Sequence, residues 1–465
     1  MHLTERYFDE TVEFIAEILR FDSSKKPAEE NAPFGQETAA CLQAFLAKAE
    51  SFGFETKNYD NYVGEVIYGE GEPFAVLAHL DVVPAGDGWK YPPFGAVIND
   101  DVSDNGVKGK KIWGRGALDD KAPAVCCLYA LKAMKDAGIL PSRQIKLILG
   151  CNEESGWQCI KHYEEVAQLP QEGFTPDADF PVIYAEKGIL HFTAIFPIEN
   201  APFKTLTAGN RVNMVCDKAT ALLTKDAGSQ LSLYQNFTQC FYDNTTGYVT
   251  TYGKSAHAST PHKGENALEK MLAFLATINE DCAKAYQILF QDAFGLTKLQ
   301  DETGPLTISP NLALFKDGTL RITIDVRYPA TLDKADVLSA FDSAGIAYEI
   351  DNHQPALYND PNGNLIRTLL DVYNVTVGTS AQPIAIGGGT YARALKCGCA
   401  FGPEVPGEES TIHQPNEYVT FERIALMNEI YYEALVRLTA SSAEAVKEEP
   451  STVKYHVATI VKRYE

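Results

Sequence analysis

Apolar residues recur at Phe8, Val12, Ile15 and Ile18, a spacing of three and four that places them on one face of a helix. A second segment, 36–51, carries the same pattern and stops before Gly53, which predicts another helix. PFAVLAHLD (73–81) and QIKLILGCNEE (144–154) are different in kind: short, nearly unbroken apolar runs. Such runs predict strands buried on both faces. Between them lies DDKAPAVCCLYALKAMKDAG, with an Asp pair at a helix start, Pro123 in its first turn and Gly138 at its stop. Strand, helix, strand in this order predicts an α/β layer with a largely parallel sheet.

From about Leu190 the pattern alternates. HFTAIF, GYVTTYGKSAHAS and GTLRITIDVRYP predict half-buried strands, with a helix at ENALEKMLAFLATINE. After His353 the first texture returns. LIRTLLDVYNV predicts a helix, PIAIGGGTYARAL a strand, loop and helix, and FERIALMNEIYYEALVRL a long amphipathic helix. The expected fold class is α/β: a domain with a largely parallel mixed sheet flanked by helices, in two parts (1–190 and 354–465), interrupted by an inserted α+β domain (191–353). The tail, 441–465, begins as a polar stretch and ends as a short amphipathic element with no functional reading.

Composition narrows the function. The 465 residues are 45% hydrophobic and 11% aromatic, enough for a sizeable core. The formal charge of −22 repels phosphate backbones and anionic lipid, so neither nucleic acid nor a membrane surface is an expected partner. The apolar runs are far short of the roughly 20 residues that span a bilayer. The N-terminus shows no basic stretch leading into an apolar one, so no secretory signal is expected. Ten cysteines form no CxxC pair, and several lie in apolar segments such as AVCCLYAL. Free thiols and a reducing, cytoplasmic compartment are expected.

Certain polar residues fall where chemistry is usually found. His79 and Asp81 stand at the carboxyl end of a buried strand, where ligands gather in open α/β sheets. An imidazole there can bind a metal, and a carboxylate two residues on can fix its tautomer. The bland alternative is a structural His–Asp hydrogen bond. Asp119 and Asp120 could be plain helix caps. Glu153 and Glu154 follow the second buried strand, where paired carboxylates are costly without a cation or proton; a solvated loop is the alternative. Asp177 and His413 would by default be loop residues. Taken together, His79, Asp119, Glu154, Asp177 and His413 give three carboxylates and two imidazoles. With two divalent cations and a hydroxide the cluster is close to neutral, an inventory suited to two-metal hydrolysis.

HLDVVPAGDGW, GRGALDDKAP, GCNEESGW, PDADFP, GKSAHAS, DVRYP, GGGTYAR and STIHQPNEY occur in that order. From about residue 10 to 440 the chain resembles the M20 family of metallopeptidases, in particular the PepV-like, Xaa-His/carnosinase-type bacterial dipeptidases. Ala122 departs from the Gly usual after the Lys. The resemblance implies a catalytic domain interrupted by a lid domain. It implies that His79 and Asp177 ligate one metal, Glu154 and His413 the other, and that Asp119 bridges them. Asp81 would orient His79. Glu153 would be general base and then general acid, acting on a metal-bridging water. A cis peptide is expected between Asp119 and Asp120. From the lid, His257 would hold the oxyanion, and Asn213 and Arg327 the substrate, Arg327 through its two-pronged fork on the carboxylate. The alternative for Arg327 is an inter-strand salt bridge. Backbone amides around Gly388 could approach the substrate terminus.

The expectation is a monomeric dipeptidase acting on unblocked dipeptides. Two divalent ions are expected, zinc first, with manganese or cobalt also suited to this shell. An M20-type deacylase of N-acyl amino acids and a non-catalytic peptide-binding homologue are the alternatives. His191 and His353 match no motif, and His162 is expected on a solvated helix face.

Overall fold

A computed structural model describes residues 6–224 and 240–439. The C-terminal tail lies outside them. The chain divides into two compact units. The first comprises residues 1–184, 359–384 and 390–465, and the second 185–358 and 385–389.

In the first unit the strands Glu55–Tyr59, Val63–Tyr68, Gln144–Gly150, Pro73–His79, Glu172–Thr175 and Cys397–Ala400 lie side by side in that order. The last four run parallel to their neighbours and the first two antiparallel. The sheet is therefore mixed, with a parallel centre and antiparallel flanks, and the class is the α/β expected. Residues 74–79 are all buried, as an unbroken apolar run requires in a strand covered on both faces. Helices Phe8–Leu19, Lys121–Asp136 and Phe421–Thr439 pack on one another, and Lys121–Asp136 packs on Pro73–His79. Phe8, Val12, Ile15 and Ile18 are buried, as their spacing predicts. Helix Gln36–Ser51 covers the outer strands, with Leu42 and Leu46 filling the space over Gly64.

The second unit is an eight-stranded antiparallel sheet. Its order is Cys240–Asp243, Tyr248–Tyr252, Lys218–Leu223, Phe203–Ala208, Thr307–Lys316, Thr319–Tyr328, Gly188–Pro197 and Ala347–Gln354. Helices Ala267–Leu275, Glu280–Phe290 and Lys334–Ser343 share one apolar core with it, including Phe192, Leu272, Ile288, Ile324 and Phe341. Alternating burial along Thr319–Ile324 explains the alternation seen in the sequence.

Two local expectations need correction. Asp119 and Asp120 do not cap the helix Lys121–Asp136, since Asp120 makes no side-chain cap hydrogen bond. Its Oδ2 accepts instead from the backbone N–H of His79 at 3.1 Å. After strand Ile384–Ile386 there is no α-helix but one 3₁₀ turn, Tyr391–Ala394, started by Thr390 Oγ1 accepting from Ala392 N–H at 3.2 Å. No helix among the described residues is long and apolar enough to cross a membrane. All ten cysteines are free, and eight are buried.

Candidate active site

Strand ends bring the polar residues of the first unit together. His79 closes Pro73–His79, Glu153 and Glu154 follow Gln144–Gly150, and Asp177 follows Glu172–Thr175. Asp119 precedes helix Lys121–Asp136 across a cis peptide to Asp120. His413 comes from the loop before strand Tyr418–Thr420 and has a left-handed backbone, φ 60°.

Asp119 stands between the two imidazoles. Its Oδ1 is 3.0 Å from His79 Nε2 and its Oδ2 is 2.9 Å from His413 Nε2. Asp177 Oδ2 lies 3.3 Å from His79 Nε2, and Glu154 Oε1 lies 3.1 Å from His413 Nε2. His79, Asp119 and Glu154 each offer a ligand atom within 4.8 Å of one another. All five ligands expected from the sequence thus converge, as two triplets sharing Asp119.

The donors fit cations. His79 Nδ1 donates to the Asp81 carbonyl at 3.0 Å, which leaves a lone pair on Nε2. That atom and Asp119 Oδ1 are both buried without a hydrogen-bond partner. Lone pairs facing one another in a buried site require a positive charge between them. Without metal only protons can supply it. Burial alone would lower His79, but Asp177, Asp119 and Asp81 outweigh it and hold the imidazole well above its ordinary value. Hydrogen bonds to Asp119 and Glu154 push His413 up to about 10.

The carboxylate of Asp81 has a further task. Its Oδ1 is 3.6 Å from His79 Nδ1, farther than its own carbonyl. The two carboxylate oxygens accept the backbone N–H groups of Glu153 (2.9 Å) and Glu154 (3.1 Å). One residue therefore orients the imidazole through its backbone and the glutamate pair through its side chain. Glu153 Oε1 accepts from Trp157 Nε1 at 3.1 Å. Burial raises the Glu153 carboxyl well above its usual range, helped by Asp177, Glu154 and Asp81.

Residues 75–437 match the sequence profile of Peptidase family M20/M25/M40. The chain belongs to that family. It is thus a hydrolase of the metallopeptidase class, a class that uses divalent metal, and His79, Asp119 and Glu154 form a candidate metal-binding group within the cluster just described. Among M20 relatives, YtjP of Bacillus subtilis (strain 168), named provisionally as a dipeptidase, is 35% identical over 91% of this chain and 96% of its own. A Staphylococcus saprophyticus protein with a similar provisional name is 31% identical over 93% and 98%. Two solved structures share the fold. Human carnosine dipeptidase 1 has a TM-score of 0.55 at 13% identity, covering 94% of this chain and 97% of its own. Aminoacylhistidine dipeptidase from Vibrio alginolyticus has 0.54 at 14%, covering 94% and 96%.

The remaining candidates lie in the second unit. Met214 and His257 form an isolated antiparallel bridge, and Ala258 N–H donates to the Asn213 carbonyl at 2.9 Å. Asn213 and His257, both exposed, therefore lie beside one another. Ser259 N–H donates to His257 Nδ1 at 3.2 Å, which puts the imidazole proton on Nε2. Partial desolvation of the ring and the nearby Arg327 lower the His257 pKa. Arg327 is engaged by its own strand and by one residue beyond it: Nε and Nη2 donate to Asp325 Oδ1 (2.6 Å) and Oδ2 (2.9 Å), and Nη1 to the Gly387 carbonyl (2.9 Å). Of the five N–H groups on a guanidinium, two are left for a ligand. A side chain at Gly388 would meet only Ile386, at 3.8 Å.

The sequence reading missed Asp325, which also accepts from His191 Nε2 at 3.0 Å. It gave His191 no partner because the partner is set by strand register, His191 opposite Asp325. It missed Glu417 too, although that residue stands in the quoted HQPNEY stretch. His353 Nε2 lies 2.8 Å from the Tyr328 hydroxyl.

Proposed function

We propose that this chain is a di-metal dipeptidase that hydrolyses unblocked dipeptides, with Glu153 as the proton shuttle. The observation that carries the reading is Asp119, whose two oxygens address different imidazoles at 3.0 and 2.9 Å. His79, Asp177 and Asp119 would hold one divalent ion, and His413, Glu154 and Asp119 the other. Bound there, such ions lower the pKa of water and polarise a carbonyl. Zinc, manganese and cobalt all suit this nitrogen and oxygen shell.

The chain's own residues supply the rest. Glu153, held at its amide by Asp81 and at its carboxylate by Trp157, takes a proton from the attacking water and returns it to the leaving amine. His257 carries its proton on Nε2 and can donate to a developing oxyanion. Arg327, steadied by Asp325, offers its two remaining N–H groups to a substrate carboxylate. The dipeptidase names of the relatives and structural neighbours favour this substrate class over N-acyl amino acids. A panel of dipeptides and N-acetyl amino acids, assayed with and without chelator, tests it. Cleavage of free dipeptides that is lost in chelator and restored by metal is expected. Turnover of only the N-acetyl substrates would replace the proposal with a deacylase.

A further inference from the structure

Glu417 touches no expected ligand side chain, yet it joins the two segments that carry Asp119 and His413. Strand Tyr418–Thr420 pairs with Lys111–Trp113, Tyr418 opposite Trp113. Glu417 is thereby set against Gly114, whose N–H donates to the Glu417 carbonyl at 2.9 Å. The side chain then turns along the loop that leads to Asp119. Its Oε1 accepts from the backbone N–H groups of Leu118 (2.9 Å) and of Asp119 itself (3.4 Å). Its Oε2 accepts from Arg115 Nη1 at 2.6 Å. Both side chains of this pair are shielded from solvent, 2% and 0% exposed. Arg115 is fixed in turn by Trp89, whose ring its guanidinium covers at 5.2 Å, and by Nη2 donating to the Ala85 carbonyl at 3.5 Å.

A shared ligand is the position least tolerant of rotation. Turning the Asp119 backbone to improve one oxygen's aim spoils the other's. A carboxylate gripping the amides at and before Asp119, from a residue four positions after His413, removes that freedom. Partners of this kind set ligand geometry and metal affinity. A carboxylate buried this deeply is costly unless it is paired and hydrogen-bonded, and Glu417 accepts three such bonds, while Arg115 Nε is left without a partner. We infer that Glu417, oriented by Arg115, is a positioning residue that fixes Asp119 between the two ion sites. The inference rests on the two-ion reading above and adds the element that enforces it.

The test uses Co²⁺ on the metal-free, full-length protein. Calorimetric titration gives the number of ions and their affinities, and the visible spectrum reports ligand geometry. Wild type should bind two ions. Glu417→Gln places an amide N–H₂ or a weaker acceptor against Arg115. It should lower the affinity of at least one ion by about 10- to 100-fold and alter the saturated spectrum. Its kcat on a dipeptide should fall while KM changes little. Adding Arg115→Gln, which permits a neutral amide pair, should recover part of the affinity. A folded Glu417→Gln with two ions at wild-type affinity and an unchanged spectrum overturns the inference. So does failure of both the single and the double variant to fold, which would make the pair a purely structural one. Wild type binding fewer than two ions overturns the two-ion reading instead, and the inference falls with it.

Discussion

Asp119 is a buried carboxylate and Glu153 a half-buried one, and the surrounding hydrogen bonds differ between them. Replacing Glu153 with Gln leaves all five expected ligands and removes the proposed proton shuttle. Metal content should be unchanged while turnover falls by about 10²- to 10⁴-fold. His79→Ala, Asp177→Ala and His413→Ala should lose metal along with activity. Elemental analysis beside kinetics separates the two patterns, and near-normal turnover in Glu153→Gln would remove it as the base. His413 adds a dependence on pH. Its folded-state pKa, about 10 against an ordinary 6.5, means that the protonated ring stabilises the metal-free protein. That contribution is complete below about 6.5 and is lost as pH rises through about 10. In chelator, the stability advantage of wild type over His413→Gln should therefore shrink between pH 7 and pH 10. Loading metal at pH 7.5 should also expel a proton, and calorimetry in two buffers of different ionisation enthalpy would reveal it. Identical heats in both would contradict the assignment. At this scale the sequence was legible wherever residue type and strand-end position coincide, as at His79 and Glu154. Asp325 and Glu417 escaped because their partners are fixed by register and by chain segments far apart.

Strands set the spacing of the ligands, and their closeness depends on small residues. Ala75 pairs with Gly173. A Cβ on Gly173 would come within 2.2 Å of the Ala75 carbonyl oxygen and 2.7 Å of its Cβ. Gly173→Ala must push Glu172–Thr175 away from Pro73–His79, at a cost of about 1–3 kcal/mol. Those strands deliver Asp177 and His79, so metal affinity should fall as well. Urea denaturation and metal titration of the variant measure the two effects; an unchanged midpoint and affinity would show that the strands yield elsewhere. The strands themselves could be read from the sequence, because a segment buried on both faces has no polar side to disguise it. The turn Tyr391–Ala394 could not be read as such. Its residues suit a helix, and only Thr390 and the following strand Cys397–Ala400 cut it to a single turn.

On the scale of the molecule, all five expected ligands belong to the first unit, and the second unit has an apolar core of its own. Removing metal should destabilise the first unit selectively. At free metal 100 times Kd the stabilisation lost is about 2.7 kcal/mol for each site. Scanning calorimetry should show one transition moving down in chelator while another stays in place. A rigid downward shift of every transition would mean that the units do not melt separately. The two-unit plan was visible beforehand as a change from unbroken to alternating apolar runs.

The division of the first unit has a consequence during synthesis. His79, Asp119, Glu154 and Asp177 leave the ribosome before any of the second unit, and His413 follows only after all of it. A nascent chain that has reached residue 384 holds the complete His79 triplet but lacks the imidazole of the other. The Tyr418–Thr420 strand and Glu417 are also still to come. On the two-ion reading proposed above, the first unit cannot acquire its full complement of ions, or hydrolytic competence, until His413 has been added. Because domains tend to fold as units during synthesis, the inserted unit has time to form before the last ligand arrives.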